Sequence, residues 1–206
     1  MKKILSILII AFVIVGCSKD NKIPSKEFKE DNSALSSPIN STNLDEYMNR
    51  NDVQYIDLRS SRMVLEEGYV AGFSFLPFYN VIASFSGEGT LYKMAKVGEN
   101  KAGSIGGFVA LYEESDDIIK SLFEEDKYIF LISQAGSESA YLINLLIQLG
   151  YDGNLLYNVG GVSNSEGPTP YKDIRDNKYY VEGHSGFNPS VNYDFVNDLT
   201  PINYNN

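Results

Sequence analysis

Two apolar runs constrain the fold most: Tyr128 to Ile132 (Tyr-Ile-Phe-Leu-Ile) and Leu155 to Val159. Between them, Leu142, Leu145, Leu146 and Leu149 recur at helical spacing. The unbroken run 128–132 suits a central parallel strand covered on both faces, where an exposed sheet would show alternation, and Leu155 to Val159 reads as a second buried strand. The leucine stripe predicts a helix that buries one face and stops at Gly150. A turn of small residues, Ser133 to Ser137, leads into this helix, and Gly160-Gly161 closes the second strand. Strand and helix alternation of this kind predicts an α/β domain with a parallel central sheet flanked by helices.

The remaining segments fit the same plan. Thr42-Asn43-Leu44-Asp45 reads as a capping-box-like start of a short helix through Tyr47 and Met48. Val53 to Leu58 predicts a strand, Arg62 to Glu67 a short helix stopped by Gly68, and Gly72 to Pro77 a short buried strand ended by proline. Phe78 to Phe85 is apolar and open between strand and helix. Gly87, Gly89, Gly98, Gly103, Gly106 and Gly107 make residues 86–107 a long surface loop or a hairpin. Ser115 is placed to cap a helix carrying Ile118, Ile119, Leu122 and Phe123, with Asp116 and Asp117 at its positive end. Beyond Ser163 lies a polar, Tyr- and Asn-rich extension, residues 164–206, in which Tyr179-Tyr180-Val181 predicts an edge strand.

At the amino end, Lys2 and Lys3 precede an apolar run from Ile4 to Val15, interrupted only by Ser6 and too short to span a bilayer comfortably. Ile14-Val15-Gly16-Cys17 resembles the lipobox of bacterial lipoproteins, in which the cysteine is acylated and becomes the mature amino terminus. The resemblance implies a signal peptide over residues 1–16 and a palmitate-type lipid anchor on Cys17, the only cysteine. It places the protein at the cell membrane, on the extracytoplasmic face. Residues 17–41 carry balanced Lys, Asp and Glu with scattered apolar residues, and read as a flexible tether lifting the domain off the membrane. The formal net charge is −10, and loss of Lys2 and Lys3 with the signal takes it to −12. An acidic surface of this size disfavours nucleic acid and direct adsorption to anionic headgroups, so membrane attachment rests on acyl chains.

Four segments over residues 42–163 resemble, in order, a single rhodanese-like (sulfurtransferase-type) domain. Val53-Gln54-Tyr55-Ile56-Asp57-Leu58-Arg59 is similar to the family's first strand with its Ile-Asp-x-Arg ending. Glu67-Gly68-Tyr69-Val70-Ala71-Gly72 ahead of Leu76-Pro77 is similar to its Gly-His-Ile-x-Gly-Ala segment. Tyr128 to Ser139 sits where the active-site strand, loop and helix start belong. Leu149-Gly150-Tyr151 and Asn158-Val159-Gly160-Gly161-Val162 resemble the closing helix end and Gly-Gly turn.

The resemblance implies an active-site loop at Ser133, Gln134, Ala135, Gly136, Ser137 and Glu138, with Ser133 where active members carry the sulfur-accepting cysteine. A hydroxyl forms no persulfide, and Glu138 stands where many members carry an arginine that holds anions. Tyr69 replaces the usual histidine, and the chain has no tryptophan. Sulfur transfer by the family mechanism is not expected, no catalytic residue is assigned, and the mature domain holds no thiol. The loop reads either as a tight turn that the fold requires or as a degenerate pocket for a neutral polar ligand, with Asp57, Arg59 and Ser133 as candidate lining. Asp57 and Arg59 read more readily as an ion pair locking the strand end against the loop. His184, the only histidine, reads as a solvated loop residue. The aromatic tail reads as sheet-edge packing or as a stacking surface for glycan or peptide. The acidic pairs at 113–114, 116–117 and 124–125 lack calcium-loop spacing, and neither metal nor cofactor is expected. Ser133 reads as a partly exposed turn hydroxyl whose removal leaves stability within about 1 kcal/mol. The expected function is a membrane-anchored surface lipoprotein whose degenerate rhodanese-like domain binds a protein or a small polar ligand. A sulfurtransferase-related enzyme with a non-cysteine mechanism is the alternative.

Overall fold

Alternate residues of the apolar run 128–132 enter two different cores, Ile129 and Leu131 one, Phe130 and Ile132 the other. The computed structural model describes residues 21–26, 32–96, 105–164, 167–186 and 194–204. In chain order these contain strand β1 (Val53–Asp57), helix α1 (Ser61–Glu67), strands β2 (Tyr69–Val70), β3 (Ser74–Phe75), β4 (Ala83–Ser84), β5 (Tyr92–Lys96) and β6 (Ile105–Ala110), helix α2 (Ser115–Leu122), strand β7 (Tyr128–Ser133), helix α3 (Ser137–Gln148), and strands β8 (Leu156–Gly161) and β9 (Tyr180–Val181).

The main sheet has four parallel strands in the order β3-β1-β7-β8, with Tyr55 opposite Phe130 and Phe130 opposite Tyr157. The expected α/β class with a helix-flanked parallel sheet is therefore present. On one face, Ile56, Ile129, Leu131 and Leu156 pack on Ile119 and Phe123 near α2 and on Leu142, Leu145 and Leu146 of α3. On the other, Tyr55, Phe130, Tyr157 and Val159 meet Val70, Phe73 and residues from the amino-terminal segment and the extension, including Ile23, Ile39, Leu44 and Tyr171.

The glycine-rich stretch forms a hairpin: β5 and β6 pair antiparallel, β4 adds to β5 in parallel, and residues 97–104 between them lie outside the described residues. Gln148 fastens this hairpin to α3, its amide bonding both the N–H and the C=O of Phe108 at 3.0 and 2.8 Å. Residues Phe78–Ile82 form a single π turn ahead of β4, which settles the apolar segment left open by periodicity. Tyr180 and Val181 do form an edge pair, antiparallel to β2 and separate from the main sheet.

Three expectations need correction. Ser115 does not cap α2; its hydroxyl donates to the Leu91 carbonyl and accepts from the Tyr112 N–H, tying the helix to β5 instead. The strand within 72–77 is β3, and both of its residues are exposed because it forms the sheet edge. Where the segment 17–41 is described, it is no free tether. Ile23, Ala34 and Ile39 are buried, the Ser41 N–H donates to the Val159 carbonyl, and Tyr157 donates to the Pro24 carbonyl. Apolar residues spaced among charges hid this, since each docks separately rather than as one periodic face. Cys17 and the apolar run 4–15 lie outside the described residues, among which no helix is long and apolar enough to cross a membrane.

Candidate functional site

Residues 133–139 leave β7 and enter α3 at the carboxyl edge of the parallel strands, where open α/β sheets bind ligands. The turn is built from within. Ser133 is fully buried, and its Oγ accepts the Gly136 N–H at 2.9 Å. Gly136 needs its freedom here, at φ +102°, to reverse the chain before the helix. The Ser133 carbonyl accepts from Val162 N and the Gln134 carbonyl from Asn164 N, at 3.0 and 3.1 Å, so the chain after β8 continues as a brace along the loop. Gly161 permits this contact; a Cβ there would lie 1.9 Å from the Asn164 carbonyl oxygen and 2.5 Å from that of Gln134.

Asn158 completes the brace. Its amide donates to the carbonyls of Gly136 and Asn32 and accepts from the Gly160 N–H. One side chain thus joins β8, the loop and the amino-terminal segment. It was missed as a functional residue, although an Asn inside an otherwise apolar strand is a signal, because a buried amide requires partners.

Asp57 and Arg59 stand on the neighbouring strand end, Asp57 opposite Ile132. Both side chains are fully buried in a forked ion pair with nitrogen to oxygen distances of 3.0 and 2.7 Å. Arg59 also donates from Nη2 to the Gly68 carbonyl at 2.8 Å, and its Nη1 has no hydrogen-bond partner. The chain after β8 covers this corner, with the Tyr180 hydroxyl donating to the Glu67 carbonyl and the Ser163 hydroxyl to the Glu67 carboxylate. A Cβ at Gly68 would meet the Val181 carbonyl at 2.4 Å. The three candidate lining residues therefore come to one sheet edge, but the Ser133 hydroxyl and the Arg59–Asp57 pair turn inward.

The loop leaves Gln134, Ala135, Ser137 and Glu138 partly exposed. Glu138 lies in the first turn of α3, where the helix N-terminus favours a carboxylate. Nearby are Tyr79, nearly half exposed, and Tyr141, both stacked edge-on or tilted against Phe78. Burial first, then the charges of Glu138 and Tyr141, push the Tyr79 phenol up to about 12. The sequence offered no signal for this grouping, since Tyr79 comes from the π turn and Tyr141 from α3. His184 is exposed, with its backbone N–H on the Leu65 carbonyl, and among the described residues no three His, Cys, Asp or Glu side chains gather into a metal-binding group.

No protein-family model matches the chain, and neither curated proteins nor solved structures give a significant match. Chemically, the edge presents amide, hydroxyl, phenol and carboxylate groups on a rigid turn. It presents no thiol, and its one arginine is buried against Asp57.

Proposed function

We propose that the protein is a surface lipoprotein, acylated on Cys17, whose rhodanese-like domain has lost sulfur transfer and serves as a binding or interaction module. One observation supports this most: the hydroxyl at the sulfur-accepting position is buried and occupied by the Gly136 N–H. A side chain that holds the turn together from inside is not presented to a substrate. Glu138 beside it disfavours thiosulfate or phosphate by like charge. The groups left outward, Gln134, Ser137, Glu138 and Tyr79, suit a neutral or cationic polar partner, contacted by hydrogen bonds and a phenol ring.

The test is thiosulfate:cyanide sulfurtransferase activity of the soluble chain beginning at Ser18, beside Ser133→Cys and Ser133→Cys/Glu138→Arg. Wild type is expected to be inactive, with activity appearing in the double variant. Turnover by wild type would sink the binding reading in favour of a thiol-free enzyme. Silence of all three would remove the support for rhodanese ancestry. Incorporation of labelled palmitate into the full chain, lost in Cys17→Ser, tests the anchor separately.

A further inference from the structure

Residues 21–26 cross the end of the main sheet that lies opposite the 133–139 loop. The Asn21 carbonyl accepts from Arg50 Nη1 at 2.9 Å, and its side-chain amide donates to Glu46. Arg50 is held by Asp52, whose carbonyl accepts the Tyr128 N–H, so this contact sits where β1 and β7 begin. Further along, Ile23 is buried, the Pro24 carbonyl accepts from the Tyr157 hydroxyl, and Lys26 Nζ lies 5.2 Å from the Tyr157 ring centre. Tyr157 is the second residue of β8, and Asp152, the charge that acts on Lys26, precedes that strand. The chain is therefore fastened to the amino ends of three parallel strands from Asn21 onward.

We infer that this amino-end pole is the membrane-facing side of the protein and that a lipid bilayer is its neighbour, with the 133–139 loop directed away. The inference rests on the acylation of Cys17 proposed above. Only Ser18, Lys19 and Asp20 separate Cys17 from Asn21. Four peptide steps reach at most about 14 Å from the acylated residue. A free coil of the 23 residues between Cys17 and Ser41 would have let the domain turn freely; three residues do not. The six residues of β7 add about 20 Å between this pole and the loop. Charge does not supply the seat. Exposed Lys22 is accompanied there by Glu46, Asp52 and Asp126, a mixed surface with little pull on anionic headgroups, so the short covalent span sets the orientation.

The experiment uses the full chain, made in a bacterium that processes lipoproteins and reconstituted into phosphatidylcholine vesicles with nitroxide-bearing headgroups. Acylation consumes the only native thiol, so one introduced cysteine becomes the sole dye site. Glu125→Cys labels the amino-end pole between α2 and β7, and Ser137→Cys labels the start of α3. Several-fold stronger quenching at 125 than at 137 is expected. A long Gly-Ser insertion between Asp20 and Asn21 is expected to bring the two sites to the same low level. Equal or reversed quenching in palmitate-labelled protein would overturn the orientation and leave the anchor standing. Absence of palmitate together with failure to bind vesicles would overturn the anchor, and this inference with it.

Discussion

Ser133→Ala tests whether the loop is a structural turn or an open pocket, and its magnitude follows from one hydrogen bond. Ser133 is fully buried, and its Oγ is the acceptor of the Gly136 N–H at 2.9 Å. A buried donor left without a partner costs about 1–3 kcal/mol, against about 1 kcal/mol or less for a replaceable exposed hydroxyl. Gly136 cannot easily turn its N–H elsewhere, because its φ of +102° is fixed by the chain reversal and its carbonyl is held by Asn158. We therefore expect a loss of about 2 kcal/mol, or about 4–8 °C in Tm for a domain of this size. This revises upward the small effect expected for a solvent-facing serine. Urea denaturation followed by circular dichroism gives the free energy, and amide exchange at Gly136 should accelerate selectively. A loss below about 0.5 kcal/mol, with Gly136 exchange unchanged, would refute the reasoning, since the hydroxyl would then be dispensable to the turn.

Three further perturbations follow from the same structure. Asp57→Asn leaves Arg59 charged in the core and is expected to cost about 3–5 kcal/mol, while Asp57→Asn/Arg59→Met recovers much of it in denaturant titrations; equal losses would remove the ion pair from the account. Gly161→Ala drives a Cβ into the Asn164 and Gln134 carbonyls and is expected to cost more than about 3 kcal/mol, whereas Gly89→Ala, with open space around its Cβ, costs about 1 kcal/mol through its positive φ alone; similar Tm values would contradict this. Burial, only partly offset by Asp152, lowers the Lys26 ammonium from 10.5 to about 8, so folding disfavours its charged form. The folded state thus binds fewer protons, and this penalty is fully present below pH 8 and fades as pH rises towards 10.5. Lys26→Met should be more stable than wild type at pH 7, with the difference shrinking between pH 8 and 10.5; a pH-independent difference would discard the titration argument.

The main sheet was readable because its signals are local and strong. The run 128–132 and the leucine spacing of 142–149 each permit one reading, and Gly150 ends α3 at φ +99°. Gly68 likewise stops α1 at φ +83°. What escaped the sequence depends on contacts between distant segments. Nothing near Ile23 or Ile39 announces that each is buried in the core that holds Phe130 and Tyr157, and their charged neighbours suggest solvent. The direction of the Ser133 hydroxyl was also hidden, since serines in a turn next to glycine look alike whether they face water or the Gly136 N–H. Phe75 misled by composition: an aromatic in a short apolar stretch suggests burial, yet β3 is an edge and Phe75 lies 47% exposed against Tyr69.

The amino-terminal segment and the stretch from Tyr171 to Tyr180 close the same face of the sheet. The Asp45 carboxylate accepts from the Tyr171 hydroxyl and the Lys178 N–H, and Tyr171 is buried beside residues from the amino-terminal segment. A ribosome that has delivered the sheet strands, up to Gly161, has not yet delivered the residue that seals their second face. Pairings across more than a hundred residues must then form last, and such high contact order slows the final step of folding. During that interval the Phe130–Tyr157 face stands uncovered. The same arrangement makes Asp45 and residues 171–178 a single clasp, so that a proteolytic cut beside either one loosens the other.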